Sequence, residues 1–372
     1  MDIDWKNSTK KIMLIVLLLT YVAILFRTAW LSDDAFITLR TALNHLNGWG
    51  PRFNIDERVQ GYTHPAWYLA IYCITLITNN VFVTTYLLSF ACSFAAAVIL
   101  IRALTANLTQ ALLFLPILIL SKAFVDFSTS GLENPLAHLL IAITCWLGLK
   151  AKSENQTGAL TAFALSFVIL YLVRPDLLIL LAPFFIHILA ISPATRRIKC
   201  IILITSLTPL IIWLLFSISY YGFPFPNTAY AKLGTGIPLV TRTSMGLDYF
   251  EESLRHDPIT LSTLAFCIPL GLIGQTQHRA NSFGILCYLL YIVLIGGDFM
   301  SGRFFTAPLL LAVINLSSIP TLRLHVAFIT LAIPLGISNI QHTLLSGADF
   351  RNTSVWHGIA DERGVWYPRN GL

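Results

Sequence analysis

Charge is what this sequence has least of. Asp, Glu, Lys and Arg make up 11% of its 372 residues, while hydrophobic residues make up 56%. A soluble domain carries roughly 25% charged residues, so an ordinary soluble domain is excluded and the chain belongs in a bilayer. Paired cysteines are absent as well. Cys73, Cys92, Cys145, Cys200, Cys267 and Cys287 stand singly within apolar segments with no CxxC, which argues for small packing residues rather than a disulfide framework or zinc site. His45, His64 and His256 are too scattered to suggest zinc either. No small-residue cleavage site follows the first apolar run. Residues 1–30, with Lys6, Lys10 and Lys11 ahead of that run, therefore read as a signal anchor with a cytoplasmic N-terminus. The formal charge of +6 does not mark a nucleic-acid binder, because the basic residues lie in short loops between apolar runs, where they set topology.

Long apolar runs are what the sequence has most of. After the first come runs near 65–78, 81–101, 108–122, 134–149, 159–173, 177–192, 199–219, 259–275, 281–296, 304–318 and 322–338, several of them about the length a helix needs to cross the hydrocarbon core. Twelve crossings would put Lys150, Lys152, the Arg196-Arg197-Lys199 cluster, Arg279 and Arg323 outside; eleven put them all inside. The run 65–78 is short and abuts the next across Asn79 and Asn80, so it is the one expected not to span. The expected fold is an all-α polytopic membrane protein. A transmembrane domain, 1–338, has about eleven helices and amphipathic outer-face helices in loops 31–64 and 220–258. An extracytoplasmic tail, 339–372, follows it.

That topology places nearly every acid outside, Asp349 in the tail among them, and the positive-inside rule explains only the basic half of the pattern. In the first outer loop Ala35, Phe36, Leu39, Leu43 and Leu46 recur at helical spacing, with Thr38, Arg40, Thr41, Asn44 and His45 opposite, as in a helix lying on the membrane surface. The doublet Asp33-Asp34 opens it. Behind Ser32 as N-cap, two first-turn carboxylates suit the helix dipole. Arg40, seven residues after Asp33 on nearly the same face, adds a second reading. A carboxylate base and a guanidinium clamp could grip a phosphorylated, lipid-linked substrate. Both readings can hold at once.

Five further outer segments carry candidates: Arg58, Tyr62 and His64 in "RVQGYTHPAW", Glu133 in "STSGLENP", Arg174 and Asp176 in "VRPDLL", Asn227, Tyr230 and Lys232 in "FPFPNTAYAKLGTG", and Asp298 and Arg303 in "GGDFMSGRFF". Plain alternatives exist: a first-turn carboxylate for Glu133, a tight-turn salt pair for Arg174 and Asp176, a snorkelling side chain for Arg303. Ionisable residues kept at membrane edges are costly, and six such clusters on one face point to one site. Residues 220–258 are expected to lie over the first loop and close it.

"DDAFITLR" followed by "NGWGPRFNIDERVQGYTHPAW" resembles the first outer loop of GT-C class integral-membrane glycosyltransferases, in particular the mycobacterial terminal arabinofuranosyltransferases and their bacterial relatives. "TSGLENPL", "RPDLL", "PNTAYAK", "GGDFMSGRFF" and "ADERGVWYPRNG" resemble further segments of that family in the same order, from Asp33 to the end. The resemblance implies a polyprenyl-phosphate sugar donor, with a pentofuranose as the sugar, and inverting transfer at the outer face of the bacterial cytoplasmic membrane. The acceptor would be an envelope glycan or lipid. It gives the general-base role to Asp33 or Asp34. Arg303 and Lys232, then Arg174 and Arg58, are the cations to steady the departing phosphate. No cofactor is required; a divalent cation, Mg²⁺ or Mn²⁺, bridging carboxylate and phosphate is compatible with the chemistry. The family carries a large soluble domain after its membrane part that these residues lack, which favours a smaller acceptor. The competing reading is a flippase or transporter of lipid-linked sugars, which would need basic groups for phosphate but no acidic doublet outside.

Overall fold

The computed structural model describes residues 8–152, 157–233, 236–319, 321–338 and 355–372. Lys6, Asp349, the rest of 339–354 and the side chain of Lys232 lie outside the described residues. The chain runs through α1 (Ser8–Arg27), α2 (Asp33–Leu46), α3 (Pro65–Thr78), α4 (Val81–Ile99, prolonged by the π turn Leu100–Leu104), α5 (Leu108–Leu120), α6 (Lys122–Asp126), α7 (Asn134–Lys152), α8 (Thr157–Val173) and α9 (Leu177–Ile191). It continues through α10 (Arg196–Ser206), α11 (Thr208–Tyr221), α12 (Asn227–Leu233), α13 (Leu239–His256), α14 (Pro258–Leu272), α15 (Thr276–Ile295), α16 (Thr306–Ser318) and α17 (Leu322–Ser338). A minimal hairpin, β1 (Val355–Trp356) with β2 (Ile359–Ala360), and α18 (Glu362–Asn370) end it. This is an all-α membrane protein. Among the described residues, five helical segments are long and apolar enough to cross a bilayer, and seven shorter apolar helices lie among them.

Local chemistry sets the breaks. Asn79 takes a left-handed conformation (φ 53°) that ends α3, and the Asn80 side chain accepts from the amides of Phe82 and Val83 to start α4. At the centre is α16, whose residues from Thr306 to Ser317 are all buried. A helix apolar all round is a core helix, and α5, α7, α14 and α15 pack around it. Helices α9 and α15 approach most closely at Gly284, where a Cβ would stand 2.0 Å from the Leu180 carbonyl oxygen. Backbone cannot yield there, and small residues are what let membrane helices touch. Gly284→Val should therefore cost about 3 kcal/mol, the upper end for overpacking, and lower the thermal midpoint in detergent; an unchanged midpoint would show that this contact is slack.

Polar segments gather at two opposite ends. One end joins the start of α1 to α5 (Lys10 Nζ to Thr109 Oγ1, 2.8 Å), the chain after α4 to α16 (Ala106 N to Ser317 O, 2.9 Å) and α5 to α17 (Gln110 to His325, 2.9 Å). The other end joins Ser32 to Ser130 (2.9 Å), Ala123 to Asp257 (2.9 Å), Asn227 to Gln60 (3.3 Å) and Ser301 to Ala360 (3.0 Å). Both ends of α3 belong to this second end: His64 lies beside Glu133, and Val81, just past it, clusters with Leu31, Leu39 and Tyr62.

Three expectations for the loops change. Ser32 occupies the N-cap position of α2 but its side chain makes no capping bond; the Asp33 carboxylate accepts the Asp34 amide at 2.7 Å instead. The faces of α2 also differ from the periodicity reading. Ala35 and Leu39 are buried as expected, yet so are Thr38 and Thr41, while Phe36 and Leu43 are exposed. Thr38 turns inward because it lines the polar cavity, where its hydroxyl meets the His64 ring at 2.7 Å. The stretch 220–258 divides. Its start lies on the first loop, with Tyr221 donating to Pro51 O at 2.5 Å, but α13 packs on α14 and α15 instead.

Candidate functional site

One cavity of about 630 Å³ opens at the second end, walled by Asp34, Tyr62, His64, Glu133, Arg174, Asp176, Asp298 and Arg303 together with the apolar Ile37, Trp213, Leu214 and Phe225. Its floor is Glu133, the residue before α7. Glu133 Oε1 accepts from Arg303 Nη2 at 2.9 Å and lies 3.8 Å from Arg174 Nε, and Oε2 is 3.3 Å from His64 Nδ1. Burial alone would raise this carboxyl. The guanidinium of Arg303, with His64 and Arg174, outweighs it and holds Glu133 down at about 2. His64 is pushed down by its own burial against the pull of Glu133. Its Nε2 is hydrogen-bonded with the Thr38 hydroxyl at 2.7 Å, and its Nδ1 stands 3.3 Å from the Glu133 carboxylate.

The two arginines come from opposite walls. Arg174 follows α8, and Pro175 turns the chain so that Asp176 meets the same guanidinium through a fork of 2.6 and 3.2 Å. The tight-turn salt pair read from sequence exists, and it lines the cavity. Tyr288 donates to Asp176, and Phe304 lies under the Arg174 guanidinium at 5.1 Å. Arg303 is placed by glycines. Gly296, Gly297 and Gly302 all have positive φ (90°, 73° and 72°), and at Gly297 a Cβ would press on Tyr249 at 2.6 Å. That turn puts Asp298 Oδ2 3.6 Å from Arg303 Nη1. After these pairings Arg174 Nη1 and Arg303 Nε remain buried with no hydrogen-bond partner.

Not every sequence-derived candidate reaches the cavity. Asp33 is exposed on the outward side of the first turn of α2 and does not line it. Arg40 shares that outward face, stacks over Phe53 at 4.5 Å and meets Asn54 at 3.5 Å. Arg58 lies over the Tyr220 ring at 5.1 Å. Asn227 and Tyr230 are exposed on α12, whose Thr228 and Ala229 line the wall instead. Lys232 contributes a backbone position only, its side chain lying outside the described residues. Sequence reasoning missed Trp213, Phe304 and Tyr288, which sit in or beside apolar runs without a polar neighbour to mark them, and set Thr38 on the wrong face. Among the described residues no three His, Cys, Asp or Glu side chains converge to hold a metal ion. A Mg²⁺ or Mn²⁺ ion there would need ligand oxygens to complete its shell.

No family model matches the chain. Two curated relatives do. A terminal β-(1→2)-arabinofuranosyltransferase of Corynebacterium glutamicum is 31% identical over 336 residues, covering 78% of this chain and 48% of that protein. A protein of the same name from Mycobacterium tuberculosis is 29% identical over 359 residues, covering 82% of this chain and 55% of that protein. The chain thus spans about half the length of the curated relatives it matches. From this likeness, carried through most of an all-α membrane chain, it belongs to the family of glycosyltransferases that the terminal β-(1→2)-arabinofuranosyltransferases represent.

Proposed function

We propose that the chain transfers a sugar, a pentofuranose by analogy with its relatives, from a polyprenyl-phosphate donor to a hydroxyl of an envelope glycan or lipid, with inversion. The reaction takes place at the outer face of the bacterial cytoplasmic membrane, where eleven crossings bring the cavity segments together and α3 does not span. The observation that carries this reading is that two guanidiniums, Arg174 and Arg303, line one cavity together with Asp34. Two such cations converging from opposite walls suit an anionic ligand. Beside them Trp213, Leu214 and Phe225 offer an apolar wall to the first units of a lipid chain.

In the step itself Asp34 takes the proton of the acceptor hydroxyl as its oxygen attacks the anomeric carbon. The bond from that carbon to the phosphate oxygen breaks on the opposite face, and the lipid phosphate leaves carrying the electron pair. Arg174 and Arg303 stabilise the charge it gains. Glu133 holds Arg303 and stands beside His64, fixing the cation that faces the phosphate.

Purified protein supplied with labelled polyprenyl-phosphate sugars and a range of hydroxyl acceptors tests the reading: transfer supports it, and donor binding without transfer to any acceptor overturns it in favour of a flippase. Arg303→Lys should keep the charge but lose the fork, raising donor KM about tenfold. An unchanged KM would remove Arg303 from the donor site.

A further inference from the structure

The C-terminal segment is built into the site end. Ala360 pairs with Phe299 and Ser301 (Ala360 N to Phe299 O, 2.7 Å; Ser301 N to Ala360 O, 3.0 Å), on the loop that carries Asp298 and Arg303. Its far end is tied to the α1–α2 junction, where Tyr367 donates to Arg27 O (2.7 Å), Asn370 to Leu31 O (3.2 Å) and Leu372 N to Ala29 O (3.1 Å). The start of α18 therefore bridges the gap between the wall bearing Asp298 and the helix bearing Asp33 and Asp34. Ion pairs lock it from below, Lys122 with Asp361 at 2.9 Å and Arg363 with Asp126 at 3.0 Å.

Glu362 sits at that bridge. It is 8% exposed, and its carboxylate accepts from a neutral group, the Trp366 indole N–H, at 2.8 Å. Among the described residues it forms no ion pair, although Lys122 and Arg363 are close by and bind Asp126 and Asp361 instead. Trp366 packs against the cluster of Trp30, Ala35 and Met300, which sets the start of α18 between the first turn of α2 and the loop before α16; those two elements carry the acids Asp33, Asp34 and Asp298. A buried carboxyl without a cation is costly, and a glutamine would satisfy Trp366 equally well. Stability does not account for an acid here.

We propose that Glu362 is a positioning residue for the transfer reaction, acting through the Asp33-Asp34 pair by holding negative charge beside the base. This rests on the glycosyl-transfer reading above. A like charge nearby makes a carboxylate a better proton acceptor. Burial, then Asp33, pushes Glu362 up to about 7, so it changes charge in the neutral range. Below that pH Glu362 holds a proton and is neutral; above it the negative charge is present.

The test compares the full-length protein with Glu362→Gln, Glu362→Asp and Trp366→Phe in nanodiscs. Glu362→Gln should lower kcat about three- to tenfold with donor KM unchanged, and should abolish a step near pH 7 in the wild-type kcat profile. Glu362→Asp should restore part of both. Trp366→Phe removes the bond to the ionised form and should move the step to higher pH, which keeps the proposal exposed should Glu362→Gln not fold. A kcat and a step unmoved in all variants overturn it. If the wild type itself transfers no sugar, the functional reading fails separately, and infrared titration of the carboxyl groups decides. A protonated-carboxyl band lost near pH 7 in wild type and missing in Glu362→Gln supports the assignment, and a band lost only in the ordinary carboxylate range overturns it.

Discussion

Asp34→Asn should reduce sugar transfer about 10³-fold, in the middle of the range for losing a positioned general base, whereas Asp33→Asn should cost far less. The two carboxylates are adjacent in sequence, but a helical step of about 100° separates their directions. Asp34 lines the cavity; Asp33 is exposed outward and accepts the amide of Asp34 at 2.7 Å. Losing Asp33 therefore removes a first-turn charge, worth about 0.3–1 kcal/mol to the helix, and leaves the base in place. The asparagine variants are isosteric, and neither site is in the core. Initial rates at saturating donor, with donor binding measured separately, distinguish the outcomes. A dead Asp33→Asn and an active Asp34→Asn would move the base to the outer side of α2 and take the cavity out of the reaction.

Replacing Glu133 should be the most damaging single change to stability. Its carboxylate is 2% exposed and holds Arg303 at 2.9 Å, with His64 and Arg174 on its other sides. Glu133→Leu leaves two buried guanidiniums short of a counter-charge, and breaking a buried pair from one side costs about 3–5 kcal/mol. The same group gives a pH signature. Glu133 is held at about 2 against an ordinary value of 4.5. A depressed carboxyl contributes stability that is fully present above its unfolded value and lost as pH falls through the folded one. Wild-type protein should therefore weaken between about pH 4.5 and 2, by on the order of 3 kcal/mol from this group. Glu133→Gln, neutral throughout, should lack that part of the acid loss. Thermal unfolding followed by tryptophan fluorescence at pH 7 and at acid pH measures both effects. An equal acid loss in the two proteins would mean that Glu133 is not ionised in the native state.

Much of this arrangement could be read from the chain because bilayers sort polar segments by side. Counting basic loops set 31–64, 123–133, 174–176 and 297–303 on one face, and those segments supply most of the cavity wall. The Asn79-Asn80 break was legible for the same kind of reason, since local chemistry decides it. What stayed hidden depends on where a side chain finds an apolar partner. Arg40 and Arg58 are held off the cavity by the rings of Phe53 and Tyr220, and no spacing rule announces a cation–π contact. The inward turn of Thr38 depended on the His64 ring, a partner 26 positions away that helical spacing does not reveal. Docking of the tail depended on Lys122, a lone lysine with nothing in sequence to pair it with Asp361, 239 positions away.

Arg303 opens the short 3₁₀ turn that runs directly into α16, the helix buried along its whole length. Asp34, by contrast, lies in the first turn of a helix whose outer side is exposed. On the proposed reading, the part of the site that grips the leaving phosphate is anchored to the least movable element in the molecule, and the part that receives the acceptor hydroxyl hangs from its periphery. Such a molecule can change what it modifies by substitutions around α2 and the loop after it without disturbing the donor. Change along the axis leaves no such freedom, because every residue there is already in contact on all sides.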